Sequence, residues 1–281
     1  MELWFTEEHT KNMRFSIKVD RQVYSGKSYY QQIDIFDTPE FGRVLTLDGC
    51  LMVSEKDEFI YHDMIVHVPL ATNPKIRDVL VIGAGDGGAV RELVRYDSIR
   101  HIDMVEIDEV VVMACKKHLP QTACKLEDPR VHIYFEDGLP FVRRQEARYD
   151  LIIVDSTDPF GPGEGLFTRE FYGNCYKALR EDGILVNQME CAFYDNFSES
   201  MQSAYQKVSK VFPVCRVYSA PIPTYPSGNW CFGYSSKGTD PVGDLQADWW
   251  NGLGLSTRYY NTDLHKAAFA LPNYLKEIIS I

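Results

Sequence analysis

The chain has 281 residues, 45% of them hydrophobic, enough for one large domain or a domain with a smaller appendage. Its 40 acidic residues against 29 basic ones argue against nonspecific nucleic-acid binding and suit a cationic small substrate. Seven scattered cysteines without CxxC spacing, no basic-then-apolar leader at Met1–Glu8 and no apolar run of membrane-spanning length predict free thiols and a cytoplasmic protein with no membrane contact.

Residues 1–56 are expected to form a small N-terminal antiparallel β domain. Phe15–Asp20, Gln31–Phe36, Arg43–Leu47 and Cys50–Ser54 are short runs rich in β-branched and aromatic residues, with turns at Phe41-Gly42 and Asp48-Gly49. Residues 57–281 are expected to form a Rossmann-like catalytic domain. Ser54–Asp57 opens a helix whose apolar face carries Phe59, Ile60, Met64 and Ile65, and Pro69 with Asn73-Pro74 closes it.

Strands then alternate with helices, the α/β pattern. Val79–Ile82 is a continuous apolar run, expected as a strand buried on both faces. Gly83-Ala-Gly-Asp-Gly-Gly88 turns the chain onto a helix over 89–96. A strand at His101–Ile107 precedes a helix at Asp108–His118, and a strand at Val131–Glu136 a helix at Leu139–Ala147. Tyr149–Asp155 is an apolar strand, followed by a helix from Thr168 to Arg180. Ile184–Met189 and Val214–Ser219 are strands around a helix at about 198–211.

Between Tyr218 and Trp230 the chain is too short and too rich in proline for a crossover helix. The last strand, Asn229–Tyr234, should therefore run antiparallel. A mostly parallel sheet whose last strand is reversed resembles the class I S-adenosylmethionine-dependent transferases rather than a six-stranded dinucleotide fold. Thr262–Ile278 is expected as a closing helix broken near Pro272.

Ligands of open α/β sheets sit beyond the carboxyl ends of the strands. Asp86, Glu106, Asp137, Asp155 with Asp158, and Glu190 occupy that position strand after strand. Any one of them could be a helix cap, but so many on one rim would repel one another without a cationic ligand. Glu106 follows the glycine turn by about twenty residues, where an acidic residue bonds ribose hydroxyls. Asp137-Gly138 could hold a purine amino group or be a plain turn. The loop from Asp155 to Phe167, rich in glycine and proline, has the character of a lid.

Eight segments together resemble the spermidine synthases of the polyamine aminopropyltransferase family. They are Tyr30-Gln-Gln-Ile-Asp-Ile-Phe36, Leu47-Asp-Gly49, Glu55-Lys-Asp-Glu-Phe-Ile-Tyr-His-Asp-Met64, Gly83-Ala-Gly-Asp-Gly-Gly88, Glu106-Ile-Asp108, Glu136-Asp-Gly138, Asp155-Ser-Thr-Asp-Pro-Phe-Gly-Pro162 and Ile222-Pro-Thr-Tyr-Pro-Ser-Gly228. The resemblance implies aminopropyl transfer from decarboxylated S-adenosylmethionine to putrescine, yielding spermidine and methylthioadenosine. It implies no metal and no permanently bound cofactor. Gln31, Glu106, Asp137, Gly138 and Pro162 would hold the nucleoside, and Asp86 with Asp155 the aminopropyl ammonium. Tyr61, His62, Asp155, Ser156, Asp158, Tyr225 and Gln188 would line the acceptor channel, with Glu190 near its far end. Asp155, with Tyr61, would take the proton. Ala84 stands where glycine is common, and His62 follows the bacterial pattern. A homodimer or homotetramer built through the N-terminal sheet is implied as well.

Two rivals share parts of this pattern. A small-amine methyltransferase would share the glycine turn and Glu106 but has no need of carboxylates near the donor's tail. A catalytically inert polyamine or nucleoside sensor would have no need of Asp155, Asp158, Tyr61 and Tyr225 together. Acceptors other than putrescine (cadaverine, agmatine, longer amines) fit the motifs equally. His67, His101, His118 and His132 show no ligand spacing and are expected to be structural.

Overall fold

A computed structural model of the chain describes residues 2–156 and 161–280. The N-terminal region is two antiparallel sheets rather than one. Strand β1 (Leu3–Thr10) pairs with β2 (Met13–Val19), and β3 (Arg21–Lys27), β4 (Gln32–Thr38), β5 (Gly42–Leu47) and β6 (Cys50–Ser54) follow in chain order as a meander. Ile33, Ile35, Leu45, Leu47 and Val53 on the inner face of this meander join Ile60 and Met64 in the main core. Ile17, Val44 and Leu51 form a small second core between the two sheets.

Helix α1 (Glu58–Thr72) runs straight through Pro69, where the sequence pattern predicts its end. Nearly every residue of α1 is buried. Packing on all sides offsets the roughly 3 kcal/mol that proline costs a helix interior.

A seven-stranded sheet then forms from β7 (Asp78–Gly83), β8 (His101–Val105), β9 (Val131–Tyr134), β10 (Tyr149–Asp155), β11 (Leu179–Gln188), β12 (Val214–Ala220) and β13 (Trp230–Ser236). Its spatial order is β12-β13-β11-β10-β7-β8-β9. Strands β7 to β11 pair in parallel, while β13 runs antiparallel to both β11 and β12. The reversal expected from the short connection is present, and β13 is inserted between its neighbours instead of lying at the sheet edge. Alternation along each strand sends side chains to opposite faces. Val79, Val81, Leu151 and Ile153 therefore enter the core shared with α1, while Leu80, Ile82, Ile152 and Val154 enter a second core.

The helices after the strands are α2 (Gly88–Leu93), α3 (Glu109–His118), α4 (Pro120–Ala123), α5 (Gly138–Arg143), α6 (Arg169–Ala178) and α7 (Asp195–Val208). Strand β11 begins at Leu179, so the expected helix end at Arg180 is early strand. Beyond β13 come α8 (Ala247–Gly252), α9 (Thr262–Ala268) and α10 (Asn273–Ile279), with the break at Pro272 where expected. Among the described residues no helix is long and apolar enough to cross a membrane.

The glycine turn after β7 is tight for a stated reason. A Cβ on Gly83 (φ +87) would lie 2.1 Å from the Asp155 carbonyl oxygen. The next residue, Ala84, donates its N–H to that same oxygen at 2.8 Å, with a φ of +62. That left-handed conformation costs an alanine roughly 1–2 kcal/mol, more than the roughly 0.5–1 kcal/mol by which glycine loosens the unfolded chain. Ala84→Gly is expected to raise unfolding stability by about 0.5 kcal/mol in a denaturant titration. A loss of stability would mean that the alanine methyl contributes more by packing than its backbone costs.

Candidate active site

The carboxyl ends of β7, β8 and β10 open on a cavity of about 320 Å³. It is lined by Gln31, Tyr61, His62, Asp86, Glu106, Asp137, Gly138, Asp155, Ser156, Gln188 and Tyr225 among others. The structure thus brings together eleven of the fourteen expected site residues. Asp158 lies outside the described residues, as do the other residues of 157–160 in the expected lid. Pro162 falls in a 3-10 helix (Gly161–Phe167), with only its backbone described. Glu190 is not among the lining residues; it is buried behind them with a φ of +68.

On the nucleoside side, the Glu106 carboxylate accepts the Asp108 N–H through Oε1 at 2.9 Å. Burial pushes its carboxyl up to about 7, Asp108 and Asp155 adding to the rise against two backbone N–H bonds. Asp108 caps α3 and also accepts Ser28 Oγ at 2.6 Å and Gln31 Nε2 at 2.9 Å. The N-terminal meander is in this way tied to the donor end of the cavity. Asp137 is exposed and caps α5 through the Leu139 N–H, 2.8 Å. The cap and the cavity wall are compatible, because one carboxylate has several lone pairs.

On the reacting side, Tyr61 donates its hydroxyl to Asp155 Oδ1 at 2.7 Å. Asp155 Oδ2 and Ser156 Oγ are buried without a partner among the described residues. Burial first and the Asp86 charge second push the Asp155 carboxyl up to about 6, against the His62 charge and the Tyr61 bond. Burial, with Asp155 and Tyr225 next, raises the Tyr61 hydroxyl well above its ordinary value, so it stays a donor. His62 Nε2 faces Asp86 Oδ1 at 3.4 Å and its Nδ1 lies 2.6 Å from Glu58 Oε2. Burial would lower the imidazole, but Asp86 and Glu58 outweigh it and raise it well above its ordinary value. Tyr225 packs tilted against Tyr61, with centroids 6.0 Å apart and ring planes at 58°, and donates to the Met52 carbonyl at 2.6 Å. Gln188 Nε2 meets the Ser156 carbonyl at 3.4 Å.

Sequence reasoning missed part of the wall. Glu7, Glu8 and His9 from β1 border the cavity, Glu7 accepting the Leu51 N–H at 2.9 Å. The run Thr6-Glu-Glu-His-Thr10 reads as polar loop, and only strand pairing with β2 turns alternate side chains inward. Glu58 and Arg91 were missed for another reason: they act behind the wall.

Among the described residues, two groups of side chains have the spacing of a cation site, with ligand atoms within 4.8 Å of one another. His62, Asp86 and Asp155 lie in the cavity. Asp63, His67 and Glu92 are buried away from it, where Glu92 already accepts Arg91 and Arg95 and Asp63 accepts the N–H groups of Tyr259 and Tyr260. The second group is a closed ion-pair network; its i,i+4 pair Asp63–His67 is a spacing the histidine survey overlooked.

A model described as the spermine/spermidine synthase domain matches residues 58–243, and one described as the spermidine synthase tetramerisation domain matches residues 3–55. The chain belongs to the spermine/spermidine synthase family. A polyamine aminopropyltransferase of Alkaliphilus oremlandii (strain OhILAs) is 67% identical over 279 residues, 99% of this chain and 98% of the relative. One of Clostridium beijerinckii is 62% identical over 280 residues, 100% of this chain and 99% of the relative. A crystal structure of spermidine synthase in complex with the transition state analogue AdoDATO superposes with a TM-score of 0.96 at 44% identity, covering 99% of this chain and 94% of that one. Spermidine synthase from Thermotoga maritima gives 0.95 at the same identity and coverage. The likeness to spermidine synthase thus spans both the N-terminal sheets and the seven-stranded sheet.

Proposed function

We propose that this cavity transfers the aminopropyl group of decarboxylated S-adenosylmethionine to putrescine, releasing methylthioadenosine and spermidine. The observation that carries it is the Asp155 carboxylate, tied by Tyr61 on one oxygen, open on the other, and set beside Asp86 at the mouth of β7. Glu106, with Gln31 behind it and Asp137 and Gly138 across the cavity, is assigned to the nucleoside. Asp86 and Asp155 are assigned to the donor's ammonium, and Tyr61, His62, Ser156, Gln188 and Tyr225 to the acceptor channel. Glu7 on the N-terminal wall suits the acceptor's far ammonium, which favours a diamine.

The chemistry follows from charge. A sulfonium is a ready leaving group, so the reaction turns on the acceptor nitrogen, which like lysine titrates near about 10.4 in water. Before that nitrogen can attack the carbon next to sulfur, its ammonium must lose one proton. The C–S bond breaks as the C–N bond forms, and methylthioadenosine leaves as a neutral thioether. Asp155 Oδ2 accepts the ammonium's proton, a better base at about 6 than an unperturbed aspartate. Tyr61 remains protonated and orients Oδ1. Holding nitrogen, carbon and sulfur in line supplies the remainder.

Domain organisation and surroundings follow the same reading. The division at residues 56/57 separates a module for subunit assembly from the catalytic one, although the two share a core. Exposed Leu3, Trp4 and Met13 on the β1–β2 hairpin support assembly of two or four subunits there. Seven free cysteines support a reducing, cytoplasmic setting.

The test is donor choice. Ordinary S-adenosylmethionine carries a carboxylate that would meet Asp86 and Asp155, like charge against like. Calorimetry is expected to give at least about a hundredfold weaker binding for it than for the decarboxylated donor. Incubation with putrescine should yield methylthioadenosine only from the latter. Equal affinities, or S-adenosylhomocysteine as product, would replace the assignment with a methyltransferase.

A further inference from the structure

Behind the cavity lies a charged chain in which neither Glu58 nor Arg91 borders the cavity itself. Arg91 grips Glu58 with both terminal nitrogens, each 2.9 Å from a carboxylate oxygen, reaches Glu92 with Nε, and shares Nη1 with the Gln121 carbonyl at 3.1 Å. Glu58 in turn accepts His62 Nδ1 at 2.6 Å, one turn along α1. The far nitrogen, Nε2, faces Asp86 Oδ1, and Asp86 is itself fixed by the Gly88 N–H at 2.9 Å. Gly88 leaves the ring its space, since a Cβ there would lie 2.1 Å from the imidazole Cε1. Tyr61 packs edge-on against the ring from the same helix.

We propose that Glu58, braced by Arg91, is a positioning residue that keeps His62 a charged imidazolium facing Asp86, so that the vacant site holds a cation of its own. This rests on Asp86 as the contact for the donor's ammonium. Two carboxylates, Asp86 in the turn after β7 and Asp155 at the end of the adjoining β10, repel each other until the donor arrives, and the imidazolium offsets that repulsion in the meantime. The bidentate guanidinium locks Glu58 in its ionised form; burial alone would raise that carboxyl, yet His62 and Arg91 bring it down to about 2. Glu58 thus fixes the ring the way a buried carboxylate fixes a catalytic histidine, by occupying one nitrogen so that the other has a single direction. When the ammonium takes its place between Asp86 and Asp155, the imidazolium remains beside the acceptor amine. A neighbouring positive charge favours the neutral, nucleophilic form of that amine.

Two measurements decide it. The first uses the full chain without substrates, labelled with 15N-histidine, the His62 signals assigned by their loss in His62→Gln. Both ring nitrogens are expected to be protonated at pH 7. Glu58 on α1, Asp86 after β7 and Asp155 on β10 are the anions that favour this charge, and Arg91 on α2 opposes it. In Glu58→Gln the titration midpoint should fall by at least about one pH unit. A neutral His62 in the unaltered protein, or an unchanged midpoint in the variant, overturns the proposal. The second is a double-mutant cycle on turnover: Glu58→Gln should lower kcat at least about tenfold alone, but less than about twofold in a His62→Gln background. Equal losses in both backgrounds would make the pair a structural clamp and overturn it. Should Glu58→Gln not fold, Arg91→Lys, which keeps the charge and loses the fork, takes its place in both arms with the same criteria. Absence of aminopropyl transfer by the unaltered protein would sink the functional assignment alone, leaving the spectroscopic arm to judge the positioning.

Discussion

Asp155→Asn is expected to lower turnover by at least about a thousandfold, the upper range for removal of a general base, while methylthioadenosine binding changes by less than about threefold. Asparagine keeps the size of the side chain and can still accept the Tyr61 hydroxyl. The Asp155 backbone carbonyl, which holds the glycine turn through Ala84, is untouched. What is lost is the open oxygen, Oδ2, and with it the place for the amine's proton. The carboxyl at about 6 also predicts a decline of kcat below that pH in the unaltered enzyme, because the protonated acid cannot accept a proton. Single-turnover kinetics beside a binding titration separate the two effects. Turnover within about tenfold of normal in the variant would remove Asp155 from the role of base.

The second large effect concerns Glu106. On the proposed assignment its carboxylate accepts the ribose hydroxyls, and hydrogen bonds to a charged group contribute about 1.5–3 kcal/mol each. Glu106→Gln should therefore weaken methylthioadenosine binding by about a hundredfold. The pH dependence has a definite sign. In the vacant site the carboxyl sits at about 7, and ribose hydroxyls bind its ionised form. Affinity should consequently be flat above about pH 7 and fall about tenfold per unit below it, with the Gln variant flat throughout. Isothermal titration between pH 5.5 and 8.5 measures both. A wild-type affinity independent of pH would mean that the nucleoside is held elsewhere.

The functional half of the molecule was legible because its signals are local. An apolar strand ending in glycines, an acid about twenty residues on and an acid at the end of β10 each follow from strand, turn and cap chemistry. The reversal of β13 followed from a connection too short for a helix. Elements formed by distant contacts were not legible. Strands β1 and β3 carry charged residues in runs that read as loop, and only pairing with β2 and β4 makes them strands. Helix α1 is buried on every side, so it lacks the amphipathic period that marks a helix end, and Pro69 passed for a terminator. Within the site, Asp86, Glu106 and Asp155 could be chosen by position. Glu7 and His9 required the knowledge of which way a hairpin faces.

That hairpin has two faces with different tasks. Along β1, Glu7 and His9 are buried against the cavity, while Trp4 and Thr6 turn to the solvent and the exposed Glu8 reaches only the cavity's border. Whatever docks on the outward row presses on a two-stranded ribbon whose reverse is part of the cavity wall. If subunits assemble on that row, as proposed, assembly and the cavity wall share the same eight residues, and a substitution on one face bears on the other.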